Sequence, residues 1–190
     1  MDSPKIPKIL DSMIAAAKAA GEEVLRIYLD DNFEVEIKSD NSPLTIADKE
    51  AHRIICERLK SDFPTLPILS EESENLSFKE RKYWTSFFLV DPLDGTKEFI
   101  SRNGEFTINI ALIHGTEPVA GVVYVPVNRK LYYGDTRSCS SFLESGDEKK
   151  RLTTRNLSTD LPIRIVASRR HGQKKLETVL RSADELFASA

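Results

Sequence analysis

The feature that most limits what this chain can fold into is a change of hydrophobic period near Pro64. Before it, apolar and small residues recur every three or four positions: Leu10, Ile14, Ala17, Gly21, Val24, Leu25 and Tyr28, then Ala47, Ala51, Ile54, Ile55 and Leu59. That period gathers side chains on one face of an α-helix. It predicts a first helix of about six turns and a second from near Thr45 to just before Pro64. Between them, "DDNFEVEIKSDNSP" reads as a short alternating strand (Phe33, Val35, Ile37) running into a polar turn. After Pro64 the stretches "LPILSEES", "SFFLVDP", "FTINIALI", "VAGVVYVPV" and "KLYYGD" read as strands, with "HGTEP" and "VN" as tight connections. Helices followed by a strand meander predict a layered α/β fold, a mixed sheet covered by two long N-terminal helices. "SGDEKKRLTTRNLSTDLP" is polar and is expected to be a boundary loop. Beyond it, "IRIVAS" reads as a strand and "KKLETVLRSADELFAS" as a helix. The expected organisation is one domain over 1–158 and the opening of a second, incomplete α/β domain over 159–190.

Composition narrows the function classes. With 30% charged residues of interspersed sign and a formal net charge of −3, the chain lacks the strongly basic balance usual in a nucleic-acid binder. Its two cysteines, Cys56 and Cys139, form no CxxC unit, so neither a zinc site nor a disulfide framework is expected. A reducing compartment follows. No stretch has the run of apolar residues that a membrane span or a signal peptide needs. The expected location is the cytoplasm, with a peripheral position at the inner membrane as the variant.

The chemistry concentrates in "LVDPLDGTKEF", residues 89–99. An apolar strand delivers Asp91 to its carboxyl end, where α/β proteins tend to place ligands. Pro92 fixes φ and removes a donor, and Gly95 permits backbone geometry closed to other residues. Asp91 and Asp94, three apart across a turn, can point the same way. Two such like charges repel unless a cation neutralises them, and Mg²⁺, which prefers oxygen ligands, suits them. A helix opening at Thr96 would aim free N–H groups at the same point. The plain alternative is a surface turn. Glu71, the first acid after the apolar part of "PILSEES", is a further oxygen ligand once Asp91 and Asp94 require one, whereas Glu72 and Glu74 read as a solvated acidic loop. Asp48 in "TIAD" fits a capping box with Thr45, and Thr96 fits an N-cap; locally, capping alone explains both. His52 and His114 are assigned structural roles.

The segments "SDNSPLTIADKEAH", "ILSEES", "LVDPLDGTKEFISRNGEFTINIALI" and "GVVYVPV" resemble the lithium-sensitive, metal-dependent sugar and nucleotide phosphatase superfamily that includes inositol monophosphatase. The likeness is greatest to its 3′(2′),5′-bisphosphate nucleotidase branch of the CysQ type. The inositol branch typically reads DPIDGTTNF where this chain has "DPLDGTKEF". The resemblance implies a sugar-phosphatase-like αβαβα sandwich. It implies Mg²⁺ held by Glu71, Asp91, Asp94 and the backbone carbonyl of Leu93, and a substrate phosphate bound by Leu93, Asp94, Gly95 and Thr96, the last two through their N–H groups. It implies a catalytic pair, Asp48 and Thr96, in which the aspartate orients a threonine hydroxyl that helps to activate water. "VASRRH" resembles the nucleotidase segment whose hydroxyl residue and histidine contact the nucleotide, here Ser168 and His171, although Arg170 stands where serine is common. On the residues alone, "SRRHGQKK" is a solvated basic loop.

The implied reaction is hydrolysis of the 3′-phosphate of adenosine 3′,5′-bisphosphate, and of its 5′-phosphosulfate relative, as in sulfur assimilation. The expected partner is a small nucleotide bisphosphate, with no nucleic acid and with a homodimer as the assembly. The family's pattern continues past position 190 with a "GSSLK"-like segment and a "WD" motif whose Asp completes the metal site. Weak or absent activity is therefore expected of these 190 residues alone, unless another chain supplies those groups. Two other readings stand beside this one: an inositol-phosphate or fructose-bisphosphate phosphatase, and a non-catalytic metal-binding remnant.

Overall fold

A computed structural model describes residues 6–30, 35–37, 43–73 and 77–154. Helix α1 (Ile6–Leu29) buries Ile9, Met13, Ala16, Ala20, Val24 and Ile27. The face is therefore rotated slightly from the expected one, leaving Ile14, Leu25 and Tyr28 half-buried. Its small residues allow close packing on the sheet: a Cβ on Gly21 would lie 2.3 Å from Tyr124 Cε1. After a two-stranded ribbon, β1 (Val35–Ile37) and β2 (Pro43–Thr45), helix α2 (Ile46–Asp62) starts at a Thr45–Asp48 capping box and ends ahead of Pro64. The capping box satisfies two of the helix's orphan donors, which is why the boundary predicted from "TIAD" is close to the observed one. Strand β2 and Phe33 differ in outcome: β2 was not expected, and Phe33 lies outside the described residues.

Seven further strands form one sheet in sequential order: β3 (Ile68–Ser70), β4 (Ser86–Asp94), β5 (Thr107–His114), β6 (Glu117–Val125), β7 (Lys130–Asp135), β8 (Ser140–Ser145) and β9 (Glu148–Leu152). Only the β3–β4 pair is parallel; the rest is the expected antiparallel meander. A four-residue helix α3 (Phe78–Arg81) lies within the β3–β4 crossover, and α4 (Thr96–Ile100) follows β4 directly. Alternate residues of the central strands, Phe88 and Val90, Ile108, Ile110 and Leu112, Ala120, Val122 and Tyr124, join α1 and α2 in a single core. The opposite face, with Leu89, Ala111, Gly121 and Val123, lines a shallow groove of about 690 Å³. Among the described residues, no helix is long and apolar enough to cross a membrane.

Two expectations need correction. "SGDEKKRL" is not loop throughout: Glu148–Leu152 pairs with β8 as the edge strand β9. Its side chains are almost all exposed and charged, so it carries no alternation for a sequence reading to detect; edge lysines of this kind also discourage pairing with other chains. The turn expected after Val90 is instead a continuation of β4 to Asp94, interrupted by a bulge. Backbone contacts divide the chain into one unit over Met1–Thr153 and another over Thr154–Ala190. The expected strand and helix after position 158 lie outside the described residues.

Candidate metal and phosphate site

The bulge aligns the two aspartates of "DPLDG". Asp91 pairs with Asn109 and Asp94 with Thr107, so Pro92 and Leu93 together oppose Ile108 alone. In a regular strand, residues three apart face opposite sides. One extra residue cancels that offset and returns Asp94 to the side of Asp91. Proline suits such a bulge because no ladder donor is needed there. The parallel β3–β4 pairing, with Ser70 opposite Val90, brings the next residue, Glu71, to the same edge as Asp91. The Glu71 N–H continues the ladder by donating to Val90 O at 3.0 Å.

These carboxylates feel one another. Asp91 is pushed up to about 7, first by burial, then by the negative charges of Glu71 and Asp94, with Asp48 adding a smaller contribution. A backbone hydrogen bond from Leu93 opposes the rise. Asp91 Oδ1 is buried and receives no hydrogen bond. Such an oxygen is costly unless something electropositive meets it, and a hard divalent cation with oxygen ligands fits the donor set. Among the described residues, no group of three or more His, Cys, Asp or Glu side chains is arranged so that it could hold a metal ion as it stands.

Asp94 is exposed, and Asn109 Nδ2 donates to its Oδ2 at 3.1 Å. The Thr107 hydroxyl in turn donates to Asn109 Oδ1 at 3.1 Å. Asn109 was not anticipated; the signal available was a polar amide inside "FTINIALI", where asparagine has poor strand propensity.

Gly95 connects β4 to α4 with φ +99°, the left-handed region that favours glycine. A Cβ there would also stand 2.9 Å from the Glu105 carbonyl oxygen. Helix α4 is anchored by Phe99, fully buried, whose ring packs against Tyr28 and Phe106 with centroids 5.2 Å away in each case. Just past α4, Arg102 donates to the carbonyls of Tyr28 and Asp30 at the end of α1. These contacts hold Thr96 in place.

The Thr96 hydroxyl donates to Asp48 Oδ1 at 3.0 Å and approaches the Leu93 carbonyl oxygen at 3.3 Å. Asp48 Oδ2 accepts from both the N–H and the hydroxyl of Thr45, at 2.7 and 2.6 Å. Asp48 thus serves two ends: one oxygen caps α2, and the other holds Thr96. It is 1% exposed, and burial pushes its carboxyl up, against the hydrogen bonds from Thr45 and Thr96. The local alternatives of capping and pairing turn out to be compatible.

Of the residues singled out from sequence, the structure brings together Asp48, Glu71, Asp91, Leu93, Asp94, Gly95 and Thr96 along adjoining ends of α2, β3, β4 and α4. Ser168 and His171 lie outside the described residues, as does Glu74. Glu72 is half-buried rather than fully solvated. His114, at the end of β5, has Nδ1 2.8 Å from Ser86 Oγ.

A model of the inositol monophosphatase family matches residues 7–187. The 3′(2′),5′-bisphosphate nucleotidase CysQ of Escherichia coli (strain K12) is 39% identical over 178 residues, covering 93% of this chain and 70% of that protein. The Haemophilus influenzae protein of the same name is 34% identical over 172 residues, 90% of this chain and 63% of its own length. Among solved structures, CysQ from Bacteroides thetaiotaomicron, a bacterial member of the inositol monophosphatase family, superposes with a TM-score of 0.75 at 39% identity, covering 93% of this chain and 68% of that one.

Proposed function

Because the chain belongs to the inositol monophosphatase family, we propose that it is a 3′(2′),5′-bisphosphate nucleotidase, a phosphoric monoester hydrolase that removes the 3′-phosphate of adenosine 3′,5′-bisphosphate. The observation that carries the chemistry is Asp91 Oδ1, buried without a donor beside Glu71 and Asp94 and next along the chain to the Thr96–Asp48 pair. Asp91, Glu71, Asp94 and the Leu93 carbonyl are the groups that would hold Mg²⁺. When bound, Mg²⁺ neutralises phosphoryl charge and makes attacking water more acidic.

The chain's own residues provide the rest. Thr96 Oγ1, whose proton already points at Asp48 Oδ1, takes a proton from the attacking water as its own passes to Asp48. Burial makes Asp48 a better acceptor than an exposed carboxylate. The oxygen of water bonds to phosphorus and the ester bond to the 3′-oxygen breaks. The products are orthophosphate and adenosine 5′-phosphate, whose 3′-oxygen takes its proton from solvent water, and Asp48 returns the proton it received to solvent. The Gly95 and Thr96 N–H groups are assigned to the phosphate oxygens, and the nucleotide contacts to Ser168 and His171. In this reading, residues 1–158 carry the metal chemistry and 159–190 carry the nucleotide contacts.

The test is phosphate release from adenosine 3′,5′-bisphosphate, inositol 1-phosphate and fructose 1,6-bisphosphate, each with Mg²⁺, with EDTA, and with Mg²⁺ plus Li⁺. The expected result is weak Mg²⁺-dependent, Li⁺-inhibited release that favours the nucleotide and is lost in Asp91→Asn. Preference for either sugar phosphate, or an Asp91→Asn variant as active as the parent, would overturn the proposal.

A further inference from the structure

His52 lies one helical turn beyond Asp48 on α2, the spacing that places two side chains on the same face. Its Nδ1 is 2.8 Å from Ser70 Oγ, and the Cys56 sulfur, 3.7 Å from the same nitrogen, packs on the ring. Ser70 is 5% exposed, ends β3 and directly precedes Glu71. Nothing in the proposed chemistry uses His52 or Ser70.

Their position gives the contact a purpose. The site is assembled from separate pieces: Asp48 comes from α2, while Glu71 comes from the end of β3, a strand only three residues long. A helix and a strand share no backbone ladder, and apolar packing tolerates sliding that a directional hydrogen bond does not. On its other side, the end of β3 is tied to β4 by the Glu71 N–H bond to Val90. The Ser70 hydroxyl is buried, so leaving it without a partner would cost about 1–3 kcal/mol, and that penalty keeps the contact made.

We propose that His52 is a positioning residue: through Ser70 it clamps the end of β3 to α2 and sets Glu71 beside Asp91 while Asp48 remains on Thr96. This inference rests on the reading of Glu71, Asp91 and Asp94 as metal ligands. A histidine that merely fills space would alter thermal stability and leave cation affinity alone. One that positions Glu71 changes the affinity itself.

The test is calorimetric titration of Mg²⁺ into the full chain for the parent, His52→Ala, His52→Asn, Ser70→Ala and the double variant His52→Ala/Ser70→Ala, with Asp91→Asn as the control. Partners that orient metal ligands typically contribute 10–100-fold in affinity, so a loss of about tenfold is expected for His52→Ala and for Ser70→Ala. His52→Asn, whose side-chain amide reaches the position of Nδ1, restores affinity to within about twofold of the parent. The double variant is no weaker than either single one, because both remove the same contact. Circular dichroism checks folding, and Ser70→Ala, the smaller change, carries the test if His52→Ala does not fold. Parent-like affinity in His52→Ala or Ser70→Ala, a failed rescue, or additive losses would overturn the positioning role. If Asp91→Asn then still abolishes binding, the metal-ligand reading stands. No saturable binding by the parent, or equal binding by Asp91→Asn, would remove that reading and the positioning role with it.

Discussion

Asp91 is held where its own ionisation is opposed, and that opposition has two consequences at a single residue. Replacing it with asparagine is expected to reduce Mg²⁺ affinity and phosphatase rate by at least about 100-fold, the upper end of what even indirect metal-site changes cost; calorimetry and phosphate release measure the two. The same Asp91→Asn change is expected to raise the melting temperature of the metal-free protein at neutral pH, since it removes a crowded negative charge next to Glu71 and Asp94. On the proposed mechanism, Asp48 and Thr96 separate binding from chemistry. Thr96→Val leaves Mg²⁺ affinity near that of the parent but lowers kcat by roughly 10²–10⁴-fold, the range for lost proton-transfer assistance; a kcat that stays within a few-fold of the parent counts against the pair. Asp91, Asp94 and Thr96 were legible as candidates because "DPLDGT" packs them into six adjacent positions. Asn109 and the His52–Ser70 contact were not: Asn109 meets Asp94 across 15 residues and His52 meets Ser70 across 18, and only the fold decides which distant polar groups meet.

At the scale of elements, the site depends on a bulged strand, a left-handed glycine and a five-residue helix acting together. Gly95→Ala adds a Cβ in a conformation unfavourable to side chains and 2.9 Å from the Glu105 carbonyl oxygen. It is expected to cost about 1–3 kcal/mol, read as a lower denaturation midpoint, and to lower kcat because α4 and Thr96 must shift. Gly21→Ala tests packing instead. Its Cβ would overlap the buried Tyr124 ring, and overpacking of this kind costs about 1–3 kcal/mol. Chemical denaturation should show the loss, with Mg²⁺ affinity of the folded protein unchanged. Element boundaries were readable where local chemistry punctuates the chain: the capping box at Thr45, Pro64 after α2, and the Gly115 turn between β5 and β6. They were unreadable in β9, whose "EKKRL" sequence is strand only because β8 offers it a partner.

For the molecule as a whole, Asp91 couples stability to pH and, on the proposed metal reading, to cation. Asp91 titrates near 3.8 when unperturbed and near 7 in the folded chain. Below the lower value both states are protonated and nothing is lost. Between the two, the unfolded chain ionises first, so the folded state loses stability as pH rises, and the loss is complete above about 7. The melting temperature in EDTA, relative to Asp91→Asn, is therefore expected to fall between about pH 4 and pH 8. The rise on adding Mg²⁺ should be larger at about pH 8 than at about pH 5, because the ligand must be deprotonated to bind. A Mg²⁺ increment that is flat with pH would contradict this coupling. The sequence by itself determined the two helices, the central strands of the meander and the acids at the ends of β3 and β4, because period, caps and turn residues are local properties of a chain. The tertiary structure alone decided that β3 lies parallel to β4 with Glu71 beside Asp91, that a bulge brings Asp94 to the same side, and that α2 reaches both Thr96 and Ser70. Those outcomes depend on register and on which surfaces pack, and neither is written in any short stretch of residues.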